Sequence, residues 1–349
     1  MTALTFKNST SQAQVISKER IVEVTEKFSN MGEIMVVGDI GLDKYTFGDV
    51  KRISPEAPVP VLEVQREWTK LGLAANISDN LKALGVRSLL CGVIGQDIHG
   101  NVLEELIEDM DLSTWGLVRD EGRPTIYKER VTTSTQQICR IDYEDSSELA
   151  ADVESRLIER FDEFASNYNA FILEDYAKGT LSEGICQKVI QYAKAHNKII
   201  TVDPGVSTNA LFYRGATLLK PNLKEAKIIC ESLGHKNKVN DIAGMLEIFI
   251  SELDLEMAVI TLGGDGMALM QKGKSPSFIP TAANEVFDVS GAGDTAIALL
   301  TSALLAGASL EEAAWIGNCG AGVVVAKKGT STVNLHELLS FHEKLKQNL

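Results

Sequence analysis

The residue run with the clearest chemical potential lies late in the chain, at residues 287–295, and reads FDVSGAGDT. Gly291, Ala292 and Gly293 carry little or no side chain, so backbone N–H groups there can approach a ligand closely. The run leads into an apolar segment typical of a helix, and a helix N-terminus attracts anions such as a transferring phosphoryl group. Asp294 in the same turn could accept a proton from a substrate hydroxyl. Alternatively, Asp294 is an ordinary first-turn acid and the glycines only permit helix packing.

A second pair of polar residues, Asn222 and Glu225, follows a predicted strand at 217–219. They stand three residues apart at the start of a predicted helix, so they share one face of it. Such oxygen ligands suit Mg²⁺ that is held through waters and substrate phosphates. The alternative is an N-cap with a capping-box glutamate. The chain has no GxxxxGK[ST] run, so it is not a P-loop protein.

Two glycine-containing runs are candidates for ligand binding. The run VITLGGDG at 259–266 is a strand that leads into a glycine turn. It could cradle nucleotide phosphates, although a plain β-turn explains the glycines equally well. The run LGLAAN at 71–76 opens a helix with small residues, and its Asn76 could hydrogen-bond a sugar hydroxyl. Asp39 and Asp43 follow the first predicted strand and could do the same, or they are simply polar residues at a strand end.

Charged residues after a central strand, in the run EDYAKG at 174–179, would need a partner or a ligand if buried. Asp175 could lie near a metal ion, and Lys178 could meet a phosphate as a point charge. Four further cations fall in segments predicted to form a projecting sheet, where they could hold a sugar phosphate or be solvated surface charges: Arg52, Lys128, Arg130 and Arg140.

The elements that must position these residues alternate between strands and helices. After residue 150 the alternation is regular, with predicted elements at 150–165, 170–173, 181–196, 199–202, 217–219, 223–232, 240–252 and 257–262. This order indicates an α/β fold with a mostly parallel central sheet and helices on both faces. Ligands in such sheets bind beyond the carboxyl ends of the strands.

Two segments interrupt this alternation, about 44–66 and 122–144. Prolines at 55, 58 and 60 favour extended or edge structure in the first. The second is rich in β-branched and aromatic residues and predicts two antiparallel strands around Thr133 and Ser134. We therefore expect a small projecting sheet that covers the main body as a lid.

Composition excludes several function classes. The 349 residues include 48 acidic and 34 basic side chains, for a net charge of −14, which disfavours binding to nucleic acid or anionic lipid. The five cysteines are scattered without CxxC spacing, which argues against disulfides or zinc. Residues 1–30 have a weak helical pattern and no signal-peptide core, and the longest apolar run is interrupted. We expect a cytoplasmic protein with a helical extension at 1–30 and one domain at 31–349.

In combination, the early Gly/Asn run, the central NxxE and the late DVSGAGD resemble the PfkB (ribokinase-like) family of sugar and nucleoside kinases. Within that family, the runs RISPEAPVPV at 52–61, EDYAKG at 174–179, QQICRID at 136–142 and AGVVVAKKGTSTV at 321–333 resemble heptose 7-phosphate kinases of lipopolysaccharide synthesis. The resemblance implies a ribokinase-like fold and ATP-dependent phosphorylation of the anomeric hydroxyl of D-glycero-D-manno-heptose 7-phosphate, with Mg²⁺.

The resemblance also implies roles for individual residues. Asp294 would be the base and 291–293 the anion hole, while Asn222 and Glu225 would assist Mg²⁺. Four residues would lie along the nucleotide: Thr261, Gly263, Gly266 and Asn318. The sugar phosphate would be held by Asp39, Gly72, Asn76 and the lid cations.

Two features qualify this expectation. Relatives usually carry glycine at the position of Leu73, which would add bulk near the sugar. Some relatives carry a second, nucleotidyltransferase domain, whereas this chain resembles the stand-alone kinase form. The resemblance further implies a homodimer through the lid. The alternatives are a kinase for another sugar or a nucleoside, and a non-catalytic sugar-phosphate binding protein on the same fold.

Overall fold

The computed structural model describes residues 11–12, 16–282, 286–327, 329 and 331–348. Its strands are β1 (Ser11–Gln12), β2 (Ile34–Gly38), β3 (Ile40–Ile53), β4 (Pro60–Leu73), β5 (Ser88–Gly95), β6 (Leu117–Asp120), β7 (Ile126–Thr132), β8 (Gln137–Tyr143), β9 (Ala170–Glu174), β10 (Ile199–Asp203), β11 (Leu218–Leu219), β12 (Met257–Thr261), β13 (Met267–Gln271) and β14 (Ser277–Ile279). Its helices are α1 (Lys18–Glu26), α2 (Ala74–Ala83), α3 (Ile98–Asp109), α4 (Ala151–Phe164), α5 (Glu183–Ala195), α6 (Leu223–Ser232), α7 (Ile242–Glu252), α8 (Ala292–Leu305), α9 (Leu310–Val325) and α10 (Leu335–Asn348).

The large sheet has the strand order β1-β14-β13-β12-β11-β10-β9-β2-β5-β6 within the described residues. Its neighbouring strands run parallel except at β13, which is antiparallel to both β12 and β14. The elements predicted from 150 to 262 are all found, with bounds within two residues of the prediction. The prediction of a mostly parallel sheet is therefore confirmed.

Helices cover both faces of this sheet because successive strand residues point in opposite directions. In β2, Ile34 and Val36 enter a core with α2, α8 and α9. Met35 and Val37 enter a second core with α4, α5 and α7. Fully buried apolar strands of this kind are typical of parallel sheets. The carboxyl ends of β9, β10 and β11 consequently meet at one edge, beneath the N-terminus of α8.

The lid sheet has the strand order β4-β3-β7-β8. Strand β4 is at its edge, as the prolines predicted, and β7 and β8 form the predicted hairpin. The first lid segment is longer than the predicted 44–66, because β3 begins at Ile40 and β4 continues to Leu73. Pairing along the whole length of the two strands, from Ile40 with Leu73 to Ile53 with Pro60, decides their extent.

The N-terminal segment packs against the main body. Helix α1 buries Ile21 and Val24, and Phe28 beyond it is also buried. Arg20 Nε lies 2.8 Å from Glu312 Oε1 in α9. Residues 1–10 and 13–15 of the predicted extension lie outside the described residues. None of the helices in the described part of the chain combines the length and apolar character that a bilayer crossing requires.

Candidate active site

The N-terminus of α8 is a turn of small residues. Gly291 caps the helix with a φ of 79°, in the left-handed region that glycine adopts without steric cost. The Asp288 carboxylate shapes the turn by accepting the N–H of Ser290 at 2.9 Å and of Gly329 at 3.0 Å. The first N–H groups of a helix have no carbonyl partner within the helix. This turn therefore presents donors, and the positive end of the helix dipole, to an anion.

Asp294 lies in the first turn of α8 and is only 6% exposed. Tyr176 Oη donates to its Oδ1 at 2.8 Å, and Asn76 Nδ2 donates to its Oδ2 at 2.5 Å. Burial raises the pKa of the Asp294 carboxyl above its usual value, while both hydrogen bonds oppose the rise because they stabilise the carboxylate. A carboxylate with a raised pKa is a better proton acceptor near neutral pH.

Helix α2 brings Asn76 to this point. It begins directly at the end of lid strand β4 and packs along α8, where Thr295 Oγ1 donates to Asn80 Oδ1 at 2.8 Å. Two polar contacts thus join the helices inside an apolar core. The structure places the predicted sugar ligand Asn76 against the predicted base Asp294.

Leu73, the residue before α2, has a strained backbone with φ 56° and ψ −137°, a region that glycine alone occupies readily. Its side chain is buried against Gly41, where an added Cβ would lie 2.6 Å from Leu73 Cδ1. The Leu73 side chain, which we expected to add bulk near the sugar, therefore packs against Gly41 near the start of lid strand β3.

A cleft opens beside the α8 turn. It reaches from Ala292 and Gly293 to the turn after β12, and all four predicted nucleotide residues line it: Thr261, Gly263, Gly266 and Asn318. Gly266 has a φ of 107°, and a Cβ there would lie 2.1 Å from the Ile279 carbonyl oxygen, so glycine is required. Asn318 Nδ2 donates to the Pro280 carbonyl at 2.8 Å, which places α9 against the cleft.

Asn222 and Glu225 form a complete capping box at the start of α6. The Asn222 N–H donates to Glu225 Oε2 at 2.8 Å, and Asn222 Nδ2 donates to Oε1 at 2.5 Å. Burial and the nearby Asp203 carboxylate raise the pKa of Glu225. Direct metal ligation would have to break this box, whereas a hydrated ion can share its lone pairs, so these residues fit a water-mediated Mg²⁺. Within the described residues there is no cluster of three or more His, Cys, Asp or Glu suited to ligate a metal directly.

Asp39 and Asp175 hold the loop after β9. Asp39 is fully buried and accepts the N–H of Tyr176 at 2.9 Å, of Lys178 at 3.0 Å and of Thr180 at 3.1 Å. Asp175 accepts the N–H of Ala177 at 2.6 Å and the hydroxyl of Tyr213 at 2.6 Å. These contacts favour a loop-fixing role for both side chains. They favour it more than the predicted roles in binding the sugar and the metal ion.

Three of the predicted cations lie together, and we call Lys128, Arg130 and Lys178, with Glu144 and Asp43, the lid charge cluster. Lys178 Nζ lies 2.6 Å and Lys128 Nζ 3.9 Å from the Glu144 carboxylate. Arg130 Nη1 lies 2.5 Å from Asp43, which in turn lies beside Gly72. Burial is the main cause that lowers the pKa of Lys128, and the positive charge of neighbouring Lys178 lowers it further by a smaller amount. Three cations share two carboxylates here, so an anion is attracted.

The other two predicted lid cations do not belong to this cluster, which corrects the expected grouping of four. Arg140 stands opposite Arg130 but is paired with Asp142 at 2.8 Å and half exposed. Arg52 is exposed and lies five residues beyond Phe47, where pairing of β3 with β7 ends. At about 3.3 Å per residue, Arg52 is roughly 16 Å further out. This separation depends on how far β3 extends beyond its pairing with β7, which the sequence alone does not indicate.

Several residues at the carboxyl edge of the sheet had no individual role predicted from the sequence. Glu174 ends β9, Asp203 ends β10, and Lys220 follows β11; with Asp294 we call them the acidic cluster. Glu174 Oε2 is buried with no hydrogen-bond partner among the described residues, and burial, with Asp203 and Asp294 nearby, raises the pKa of Glu174 well above its usual value. Tyr176 was also missed. Charged residues at three adjacent strand ends were the available signal.

Comparison with known proteins places this site in a family. A family model described as pfkB family carbohydrate kinase matches residues 31–337. The chain belongs to the PfkB family of carbohydrate kinases. It is accordingly a phosphotransferase that acts on a sugar hydroxyl.

Similar proteins extend beyond this chain in length. The kinase is 42% identical over 311 residues to the bifunctional protein HldE of Wolinella succinogenes, covering 88% of this chain and 64% of that protein. It is 41% identical over 312 residues to the bifunctional protein HldE of Haemophilus influenzae, covering 88% and 62%. The chain thus spans less than two thirds of the length of these relatives.

Solved structures share the fold. Arabidopsis thaliana ribokinase complexed with ribose and ATP aligns with a TM-score of 0.66 at 20% identity, over 89% of this chain and 99% of that one. Phosphofructokinase-2 from Escherichia coli, in a tetrameric inhibited form, aligns with a TM-score of 0.72 at 17% identity, over 90% and 99%. The ribokinase-like fold expected from the sequence is therefore confirmed.

Proposed function

We propose that this kinase transfers the γ-phosphoryl group of ATP to the anomeric hydroxyl of D-glycero-D-manno-heptose 7-phosphate, forming the 1,7-bisphosphate used in ADP-heptose and lipopolysaccharide core synthesis. The observation that carries the reaction type is Asp294, a buried carboxylate at an anion-binding helix start. The lid charge cluster supports a phosphorylated acceptor. The similarity to HldE proteins supports the heptose.

In the proposed step, Asp294 accepts the proton of the anomeric hydroxyl while Tyr176 and Asn76 hold its two oxygens in place. The sugar oxygen forms a bond to the γ-phosphorus, and the bond from that phosphorus to the ADP oxygen breaks. The backbone N–H groups of residues 291–293 stabilise the charge on the transferring group. The Ala292 N–H already donates to the Val289 carbonyl at 3.3 Å, so it would have to leave that partner to act with the N–H groups of Gly291 and Gly293.

The nucleotide would occupy the cleft lined by Thr261, Gly263, Gly266 and Asn318. Asn222 and Glu225 would hold a hydrated Mg²⁺, which when bound neutralises phosphate charge during transfer. Because both side chains already form the capping box, their part is to orient water ligands.

The sugar phosphate would be held at the lid charge cluster. Lys128 and Lys178 share the carboxylate of Glu144, and a substrate phosphate would compete with that carboxylate for the two ammonium groups. Arg130 is directed by Asp43. An unphosphorylated sugar offers these cations no countercharge, which favours a sugar phosphate as acceptor.

The test is a coupled assay of ADP release over a panel of sugars, nucleosides and sugar 7-phosphates, with and without Mg²⁺. We expect turnover with D-glycero-D-manno-heptose 7-phosphate, dependent on Mg²⁺. Faster turnover of another sugar or a nucleoside would support the first alternative. No turnover with any acceptor would support a non-catalytic binding protein, although such a protein has no use for the Asp294 base.

We also propose that the kinase domain, residues 31–349, dimerises through its lid, with residues 1–30 as an extension. The lid exposes apolar side chains, including Ile53 at 60%, Val64 at 56% and Tyr143 at 48%, that a second copy could cover. Sedimentation analysis should give twice the 37.9 kDa chain mass, and a monomer at micromolar concentration would contradict the proposal.

A further inference from the structure

Arg123 lies where the lid joins the main body, and the mechanism above gives it no role. Its side chain is 7% exposed, and its Nε lies 3.5 Å from Asp120 Oδ2 at the end of β6. Asp120 is itself fixed, because its side chain accepts the Gly122 N–H at 2.7 Å and its carbonyl accepts the Gln96 N–H at 2.9 Å. The Arg123 guanidinium is therefore anchored to a strand of the large sheet.

Two backbone carbonyls accept further hydrogen bonds from this guanidinium. Arg123 Nη1 donates to the Lys178 carbonyl at 3.3 Å, and Nη2 donates to the Ser147 carbonyl at 2.8 Å. The two carbonyls belong to different segments, the loop after β9 and the segment that leaves lid strand β8. These segments meet at Gly179, where an added Cβ would lie 1.9 Å from the Ser147 carbonyl oxygen. Arg123 thus holds both segments at the point where they meet.

Both segments carry members of the lid charge cluster. The loop after β9 supplies Lys178, whose N–H is also held by Asp39 at 3.0 Å. The other segment begins with Glu144, whose Oε1 lies 2.6 Å from Lys178 Nζ. The Lys178 backbone is thus fixed on both sides, with Asp39 at its N–H and Arg123 at its carbonyl. Loss of the Arg123 contact would let the Lys178 peptide rotate, and the ammonium would move with it.

A planar guanidinium suits this position better than an ammonium group. Its five N–H donors lie in a fixed fork, so it can contact a carboxylate and two carbonyls at once. We infer that Arg123 is a positioning residue for the acceptor: through the Lys178 carbonyl, it holds the Lys178 ammonium where the acceptor phosphate binds. This inference deepens the proposed function and rests on it for the phosphate of the acceptor.

The test is a double-variant cycle in the coupled ADP-release assay, with Arg123→Lys, Lys178→Ala and Arg123→Lys/Lys178→Ala. Lysine keeps a positive charge beside Asp120 but lacks the fork. Arg123→Lys should raise KM for heptose 7-phosphate about fivefold. It should change kcat little, because Asp39 still holds the Tyr176 N–H at 2.9 Å. The double variant should match Lys178→Ala, since the ammonium through which Arg123 acts is already absent.

The matched control is Arg156→Lys on α4. Arg156 also donates to a backbone carbonyl, that of Arg119 at 2.9 Å, and lies 3.8 Å from the Asp152 carboxylate. This control should leave KM for the sugar phosphate unchanged. Thermal unfolding of each variant checks the fold, and a constant KM for ATP checks that the nucleotide cleft is intact.

A merely structural arginine gives a different pattern. Equal acceptor KM values for Arg123→Lys and Arg156→Lys would overturn the inference, and so would effects that multiply in the double variant. A fall in kcat at unchanged KM would overturn it as well, because the loop would then be disturbed at Tyr176 and not at Lys178. If the panel selects another acceptor, the proposed function fails, and the same comparisons of KM with that acceptor still decide the role of Arg123.

Discussion

The acidic cluster and the lid charge cluster organise charge in opposite ways. In the acidic cluster, three carboxylates surround one ammonium, and Glu174, Lys220 and Asp294 are each at most 6% exposed. In the lid charge cluster, cations outnumber carboxylates and the side chains of Lys128 and Glu144 are 15% and 24% exposed. The first rests on adjacent strand ends and a helix start, and the second on the projecting sheet together with Lys178 from the loop after β9. We infer that the buried region determines the reaction and the lid determines the acceptor.

The largest effect should come from Asp294→Asn, which removes the base without changing its shape. We expect kcat to fall by about 100- to 10,000-fold, because general base catalysis contributes that much. ATP affinity, measured by calorimetry, should survive since the cleft is unchanged. Turnover close to that of the unsubstituted kinase would remove Asp294 from the mechanism.

Acceptor recognition should respond to Lys178→Ala. Losing one charge-assisted contact should raise KM for the sugar phosphate about tenfold with little change in kcat. The matched control is Lys188→Ala, which breaks a comparable ion pair with Asp162 (2.7 Å) on the outer surface of α5. Steady-state kinetics give KM for both variants. Equal KM values for Lys178→Ala and Lys188→Ala would indicate that Lys178 is an ordinary surface charge.

The acid side of the pH profile should report the Asp294 environment. The reaction needs the carboxylate, so kcat is retained above the raised pKa of Asp294 and lost as pH falls through it. Tyr176→Phe removes a hydrogen bond that lowers this pKa, so it should move the acid limb of the kcat profile to higher pH by about one unit. Lys178→Ala, in the lid charge cluster, should leave the limb in place because Lys178 makes no contact with Asp294 in the described structure. If Lys178→Ala moved the acid limb as Tyr176→Phe does, the lid charge cluster and the acidic cluster would not act separately.

The smallest effect concerns the joint between the regions, at Leu73. Leu73→Ala keeps the strained backbone and loses buried contacts, which should lower the free energy of unfolding by about 2 kcal/mol. Leu73→Gly loses the same contacts but relieves strain of about 1–3 kcal/mol, so it should be the less destabilising of the two. Urea denaturation measures both. Glycine below alanine in stability would show that the backbone there is not strained.

Much of the buried region was predictable, because its signals are local. Neighbouring residues alone indicate the local backbone of three segments: the GAGD turn, the strand before Asn222 and the glycine turn after β12. The strand–helix alternation then brings the carboxyl ends of the strands to one edge of the sheet. Tyr176 was not predictable in this way. Its hydroxyl reaches Asp294 across 118 residues, and no periodicity encodes that contact.

The sequence by itself determined the elements, their order and the side chains at each strand end, since hydrophobic periodicity, glycine conformation and helix capping act over a few residues. Only the tertiary structure decided that Asp39 and Asp175 brace a loop, that Arg52 stands apart from Lys128 and Arg130, and that Lys220 lies beneath Gly293. Those outcomes depend on the register of paired strands and on which carboxylate reaches which cation through a buried edge. Such distances are set by the packing of the whole chain.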